Sequence, residues 1–491
     1  MIMNLQTFLP TAKKNNWVCT IVTLLLIFTS CKKQTTEPSP GENISESASA
    51  ARFNNPGKGN GNISPEMVLR WNKAAIDVVL QTQQAIPDAP VPPFFESRFY
   101  AMVNIAMHDA LNNIVPKYKT YALLNSRDKD ADADAAVAQA AYEVIVAHYG
   151  GLNPPASATP QPVKDYINAL LQQSLNGVSD AAAKAKGIAL GHLSSQAILT
   201  KRANDGISNA MYPIAEGTQP GEYRFTFPFN GPPFNTPPFS GLYAFPGWGN
   251  VTPFGMTTGS QFRPGPPYAV TSTQYAADFN EIKSLGRYNS TTRTPDQTEI
   301  AKFWVESSPQ GWNRIAVNII AQKNIGAWQV ARLLALLQMG EADAYIGSFD
   351  AKLYYFTWRP VTAIHLAATD GNPNTTADPD WEVVGFNPAG APDLRYWPTP
   401  PIPDYPSAHA TAGGAGAELI SSFFGSDNIR FSSASTSYPS TRNFTSLSQA
   451  ARENSLSRIY VGYHFRQACL VGEQHGKNIG KWIFDHYLNE E

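Results

Sequence analysis

The stretch Lys352-Leu353-Tyr354-Tyr355-Phe356-Thr357-Trp358-Arg359-Pro360 sets two cations seven positions apart in the last third of a 491-residue chain. Seven helical positions make nearly two turns, so a helix here predicts Lys352 and Arg359 on one face, and Pro360 disfavours its continuation. No acid stands at the matching spacing, and the flanking Leu353, Tyr354, Tyr355, Phe356 and Trp358 argue against a solvated basic face. Two cations held side by side are costly unless an anion joins them. The run leading into them, AWQVARLLALLQMGEADAYIGSFDA from Ala327, has helical periodicity, which makes the stretch the continuation of a helix.

Two further segments downstream carry chemistry. In Tyr405-Pro406-Ser407-Ala408-His409, followed by ATAGGAGAELI, Ser407 is a natural helix N-cap. The backbone N-H groups after it, and the His409 side chain, then lie at a helix N-terminus, where an oxyanion is favoured. Gly413, Gly414 and Gly416 lower helix propensity and predict close approach of a neighbouring helix. The third segment is Ser457-Arg458-Ile459-Tyr460-Val461-Gly462-Tyr463-His464. Six helical steps would leave Arg458 and His464 roughly 120° apart, so a break near Gly462 or the reach of the arginine must bring them together.

Together the three segments resemble the signature of the vanadium haloperoxidase and type 2 phosphatidic acid phosphatase superfamily: Lys, six residues, Arg-Pro; Pro-Ser-x-His; Ser-Arg, five residues, His. Order, internal spacing and residue types match from Lys352 to His464, and RFYAMVNIAMHDALNNI upstream resembles the bacterial haloperoxidase-like branch. The resemblance implies an all-α fold, a pair of helical bundles with long Pro/Gly/aromatic-rich connecting segments and the anion in the C-terminal bundle. It implies that Lys352, Arg359, Ser407, the N-H of Ala408, Arg458 and His464 bind vanadate or phosphate. His464 would be the ligand to vanadium, or the nucleophile toward phosphorus, and His409 the acid-base group. Lys352 would polarise peroxide.

The leading expectation is a vanadate-dependent haloperoxidase acting on hydrogen peroxide and halide. The alternatives are an exported acid phosphatase that needs no metal and acts on a phosphate ester, and a non-catalytic envelope oxyanion-binding protein. The last is motivated by Ala468, which stands where the family often has an Asp that orients the final histidine. Gln467, Glu473 or a backbone carbonyl are the substitutes that the sequence offers.

The rest of the chain frames this site. Lys13 and Lys14 precede an apolar run from Trp17 to Phe28, and Thr29-Ser30 lead into Cys31, which resembles a lipoprotein cleavage box. Residues 1–31 are therefore expected to be a signal peptide with lipidation at Cys31. That implies export, a membrane contact through the N-terminal lipid, and a position facing the periplasm or exterior. Residues 32–63, polar and with alternating glycines from Pro56 to Asn62, are expected to be a disordered tether. Residues 64–204 read as an N-terminal helical region that begins with Ser64 as cap and Pro65 in the first turn. Residues 205–293, with RFTFPFNGPPFNTPPFSGLYAFPGWG, read as a Pro/aromatic-rich cover, and residues 294–491 as the C-terminal bundle.

Composition excludes several functions. Thirty-seven basic against 39 acidic residues give a net charge of -2, with no field to gather nucleic acid. Cys469 is the one cysteine after Cys31, so the body has no internal disulfide. No later apolar stretch approaches the 18 or so residues of a spanning helix, so a soluble body is expected, unlike the multi-spanning lipid phosphatases. His108, His148, His192, His365, His475 and His486 show no metal-ligand spacing, and neither a G-x-S-x-G elbow nor a CxxC pair occurs. Asp128, Asp130 and Asp132 resemble a calcium loop only faintly, since Ala133 stands where glycine is needed.

Overall fold

The computed structural model describes residues 64–85, 91–149, 159–385 and 398–491. The expected signal peptide, Cys31 and the tether lie outside the described residues. The architecture is all-α, as the resemblance implied, with thirteen α-helices and one two-stranded antiparallel ribbon among those residues. Five helices form the first bundle: α1 (Glu66–Ala85), α2 (Pro93–Ile114), α3 (Ala133–Tyr149), α4 (Gln161–Asn176) and α5 (Ala181–Arg202). Then follow α6 (Thr273–Leu285), α7 (Pro295–Phe303), α8 (Ser308–Ile320), α9 (Ala327–Tyr355) and the short α10 (Pro360–His365). The chain ends with α11 (Ala408–Phe424), strands β1 (Phe431–Ala434) and β2 (Thr441–Phe444), α12 (Leu447–Tyr460) and α13 (Arg466–His486).

Local signals set several boundaries. Ser64 Oγ accepts from the Glu66 N-H at the start of α1. Thr294 and Gln297 form a reciprocal capping box on α7, with Pro295 in its first turn. The α5 N-cap Asp180 accepts from Ala182 and Ala183. Asp132 accepts from Ala135, and Lys186 pairs with Asp128 and Asp130, so these acids cap and pair rather than form a calcium loop.

Helix α9 shows no single apolar face because most of its circumference is buried: it packs on α2 toward the first bundle and on α11 and α13 toward the second. One hydrophobic core therefore runs through both bundles, from Val68 on α1 to Ile483 on α13. The Pro/Phe-rich segment after Asp205 packs over this body. Its backbone N-H groups at Phe254, Gly255 and Met256 all donate to the buried Asp343 carboxylate of α9. Tyr223, Phe225 and Tyr243 pack with Phe356, just past the end of α9. Long helices are absent where prolines crowd, but α6 forms at 273–285, inside the segment expected to be cover.

The closest helix pairing is α11 on α13. A Cβ at Gly414 would lie 2.2 Å from the Glu473 carbonyl oxygen, and one at Gly476 only 1.9 Å from the Thr411 carbonyl oxygen. Backbone meets backbone here, so no side-chain shift can make room. Gly476→Ala is expected to destabilise the protein by about 1–3 kcal/mol, the usual cost of overpacking. Gly265→Ala, where an added Cβ has nothing within 4 Å, is expected to stay within about 0.5 kcal/mol of the parent. Equilibrium denaturation of the two variants beside the parent checks the contrast.

Candidate oxyanion site

Helix α9 ends earlier than the seven-residue spacing suggested. Phe356 adopts a left-handed conformation (φ 49°) and its N-H bonds to the Lys352 carbonyl, so the helix stops at Tyr355. Residues 357–358 run on to Arg359, which is the extended N-cap of α10 with Pro360 in the first helical position. Lys352 and Arg359 therefore do not share a helical face. They reach the same place because the helix end and the next helix start point into one pocket, and both are fully buried.

The segment from Pro400 to Asp404 supplies much of what surrounds these cations. Lys352 Nζ donates to the carbonyls of Pro403 (2.6 Å) and Asp404 (2.9 Å). Arg359 Nε donates to the Ile402 carbonyl at 2.7 Å, and its Nη1 to the Tyr463 carbonyl at 2.8 Å. Three residues past Asp404, Ser407 caps α11 by accepting from Ala410, as its position in the sequence suggested.

Arg458 and His464 are brought together by a chain reversal. Helix α12 stops at Tyr460, Gly462 takes φ +90°, and the N-H of Tyr463 returns to the Arg458 carbonyl at 2.9 Å. The conformation and the space both require glycine, since a Cβ there would lie 2.6 Å from the Gly286 carbonyl oxygen. Arg458 is anchored by Ser457 Oγ (2.9 Å) and the Trp304 carbonyl (2.8 Å).

His464 is oriented by Asp404, which sequence reasoning missed. Its Nδ1 lies 2.8 Å from Asp404 Oδ1, while Arg359 Nη1 lies 2.8 Å from its Nε2. A guanidinium can only donate, so Nε2 presents a lone pair and Nδ1 carries the proton that goes to the carboxylate. None of the substitutes expected for the missing Asp serves. Gln467 Oε1 accepts from Tyr268, and Glu473 pairs with Arg452 and Lys477. Ala468 contributes differently: its carbonyl accepts the Ser407 N-H at 2.9 Å and so fixes the α11 cap. A carboxylate three residues before Ser407 was visible in the sequence, but no spacing rule links it to a ring 60 positions away.

Electrostatics follow from burial. Burial holds Lys352 well below the usual ammonium range, lowers Arg359, and brings Arg458 down to about 10. Burial, then the charges of Arg359, Lys352 and Arg458, keep His464 neutral. Burial pushes Asp404 up to about 7 against the pull of Arg359 and Lys352. Three cations and one carboxylate leave a pocket whose charge an oxyanion would offset. His409, lowered chiefly by burial and next by Arg458, is held at Nδ1 by Ser308 Oγ at 2.8 Å, and its buried Nε2 has no hydrogen-bond partner. Lysine, two arginines, a helix N-cap, a lone-pair imidazole and a second, neutral imidazole are the donor set that vanadate or phosphate demands.

The other histidines are structural. His148 bonds to the Val144 carbonyl, His192 to Glu143, His365 to the Trp381 carbonyl, and His486 stacks on Trp482. His108 lies 3.0 Å from Asp109, and His475 packs against Gly347. Among the described residues no His/Cys/Asp/Glu cluster could hold a metal ion, and no helix is long and apolar enough to cross a membrane. Cys469 is a buried free thiol.

Fold and site define an all-helical protein in which lysine, arginine and histidine side chains from separate chain segments meet in the interior. Residues 332–490 match the family model of the VCPO second helical-bundle domain. The vanadium chloroperoxidase of Curvularia inaequalis is 24% identical over 488 aligned residues, covering 81% of this chain and 78% of that protein. A structure described as the first bacterial vanadium-dependent iodoperoxidase superposes with a TM-score of 0.66 at 21% identity, over 89% of this chain and all of that one. A holo-type bacterial vanadium-dependent chloroperoxidase gives 0.60 at 15% identity, over 87% and 98%. These likenesses support the vanadium haloperoxidase and type 2 phosphatidic acid phosphatase superfamily, and an enzyme of that kind.

Asp404→Asn keeps the size of the side chain and removes the charge that holds the His464 proton on Nδ1. Partners of this kind are worth roughly 10- to 100-fold in affinity, and a loss in that range is expected for vanadate and phosphate alike. Equilibrium binding of each ion to the variant and the parent measures it.

Proposed function

We propose that this chain is a vanadate-dependent haloperoxidase that uses hydrogen peroxide to oxidise halide to hypohalous acid, with water as the second product. The observation that carries the reading is His464: its Nδ1 proton goes to Asp404, and its Nε2 lone pair lies among buried cations. Such a ring is built to be a lasting ligand, and the single-pocket donor set suits vanadate. Vanadate bound there would supply a Lewis-acidic centre that activates peroxide toward halide.

The chain's own residues have separable tasks. Lys352, Arg359 and Arg458 neutralise the oxyanion, and Lys352 places positive charge where peroxide is to be polarised. Ser407 and the N-H of Ala408 close the cradle at the start of α11. His464 holds the central atom. His409 gives and takes the protons that exchange of oxygen for peroxide requires. The substrates are small molecules, and an organic acceptor would react with the oxidised halogen that leaves.

A phosphatase is the second reading, favoured by the same cradle: phosphate makes equal demands on the cations, His464 would attack phosphorus, and His409 would protonate the leaving alcohol. A non-catalytic binding protein loses its motive, because Asp404 does what Ala468 cannot. Vanadium analysis of reconstituted protein, with halide-dependent peroxidase and phosphatase assays side by side, tests the proposal. Halide-independent phosphate release without peroxidase activity overturns it.

His464→Ala is expected to abolish activity and to leave vanadate readily displaced by phosphate, whereas His409→Ala should keep bound vanadate and lose turnover. Tight vanadate binding by His464→Ala together with its loss in His409→Ala would reverse the two assignments. We further propose that the mature protein begins at a lipidated Cys31 and faces the periplasm or exterior. Cys31→Ser should then give unprocessed, unlipidated protein; fractionation and migration identical to the parent would refute this.

A further inference from the structure

The first turn of α8 lies between the two bundles and holds two adjacent serines that face different partners. Ser307 Oγ donates to Glu96 Oε2 of α2 at 2.7 Å, where Gln310 also donates at 2.9 Å. Ser308 Oγ, 3% exposed, lies 2.8 Å from His409 Nδ1. The Tyr345 hydroxyl of α9 is a hydrogen-bonding neighbour of Ser308. Both oxygens of Glu341, one turn before Tyr345, have no hydrogen-bond partner, so the phenolic proton does not go to them.

The far side of the His409 ring is lined differently. The Trp304 carbonyl, an acceptor, and the Asn454 side chain are its other neighbours, and Nε2 and Asn454 Oδ1 are both buried without a hydrogen-bond partner. A hydroxyl can donate or accept, whereas a carbonyl oxygen can only accept. The arrangement with fewest buried orphans puts the ring proton on Nε2 and has Ser308 donate to Nδ1, with Tyr345 donating to Ser308 in turn.

We propose that Ser308, backed by Tyr345, is a positioning residue that fixes His409 as the Nε2-protonated tautomer. His409 then meets the oxyanion as a proton donor without first becoming an imidazolium. This rests on the acid-base role given to His409 above. A proton given up at Nε2 is returned to Nε2 from the oxyanion side, while Ser308 keeps its own proton and holds Nδ1 as the acceptor throughout.

Nitrogen-15 NMR of histidine-labelled protein without vanadate, with His409 assigned through His409→Gln, reads the tautomer directly. The parent should show Nδ1 as the unprotonated nitrogen. Ser308→Ala should lose that bias and lower kcat roughly 10-fold, a part of what general acid-base catalysis supplies, with vanadate affinity unchanged; Ser308→Thr, which keeps the hydroxyl, should recover it. Should Ser308→Ala fail to fold, Tyr345→Phe carries the test, with a smaller shift toward the Nδ1-protonated form. A parent with the proton on Nδ1, or a Ser308→Ala protein with the parent's tautomer and kcat, overturns the proposal. A parent that binds no vanadate and oxidises no halide, yet shows the tautomer, instead defeats the haloperoxidase reading and leaves this one standing.

Discussion

The structure is organised around a charge that cannot be hydrated. Lys352, Arg359 and Arg458 are withdrawn from water within one pocket, and the one carboxylate in direct contact with its histidine is Asp404. Burying an ion costs several kcal/mol even after relaxation, so the chain surrounds each cation with backbone carbonyls. Those of Pro403, Asp404, Ile402, Tyr463 and Trp304 all face a lysine or arginine nitrogen. Carbonyls offset desolvation without neutralising charge, so the pocket keeps its demand for an anion. The irregular path of residues 398–407 follows from this requirement, because a regular helix would spend those carbonyls on itself.

The rest of the molecule keeps that irregular path in place. The aromatic cluster of Tyr223, Phe225 and Tyr243 covers the turn at Phe356. The Ala244 N-H bonds to the Pro401 carbonyl. On the other side, the glycine-lined contact of α11 with α13 sets the distance between the Ser407 cap and the Ala468 carbonyl. Prolines and phenylalanines that looked like an irregular excess are thus a second wall of the site.

The sequence revealed what depends on residue type and short spacing. Three signature segments, the Ser407 cap, the break at Gly462 and the helix contact at Gly413 to Gly416 were all legible, because each is a local demand of backbone or charge. Two features were not. The common face of Lys352 and Arg359 assumed a helix that Phe356 ends, and nothing in the composition of KLYYFTWRP marks that left-handed residue. Asp404 was hidden for the opposite reason: its partner lies 60 residues on, and one acid in a proline-rich loop carries no periodicity. Ser308, one of two serines before a proline, reads as an ordinary helix start until the ring of His409 is seen beside it.

The recognisable second-bundle sequence begins at residue 332, inside α9 and five residues past its start. That helix is also the wall against which α2 packs, with Trp328 Nε1 bonded to the carbonyls of Leu111 and Val115. The boundary at which that likeness begins is therefore not a seam along which the protein comes apart. A fragment cut there would carry every signature residue and still present the bare apolar flank of α9 to water. The half that carries the signature has its apolar flank covered by the half that holds none of it.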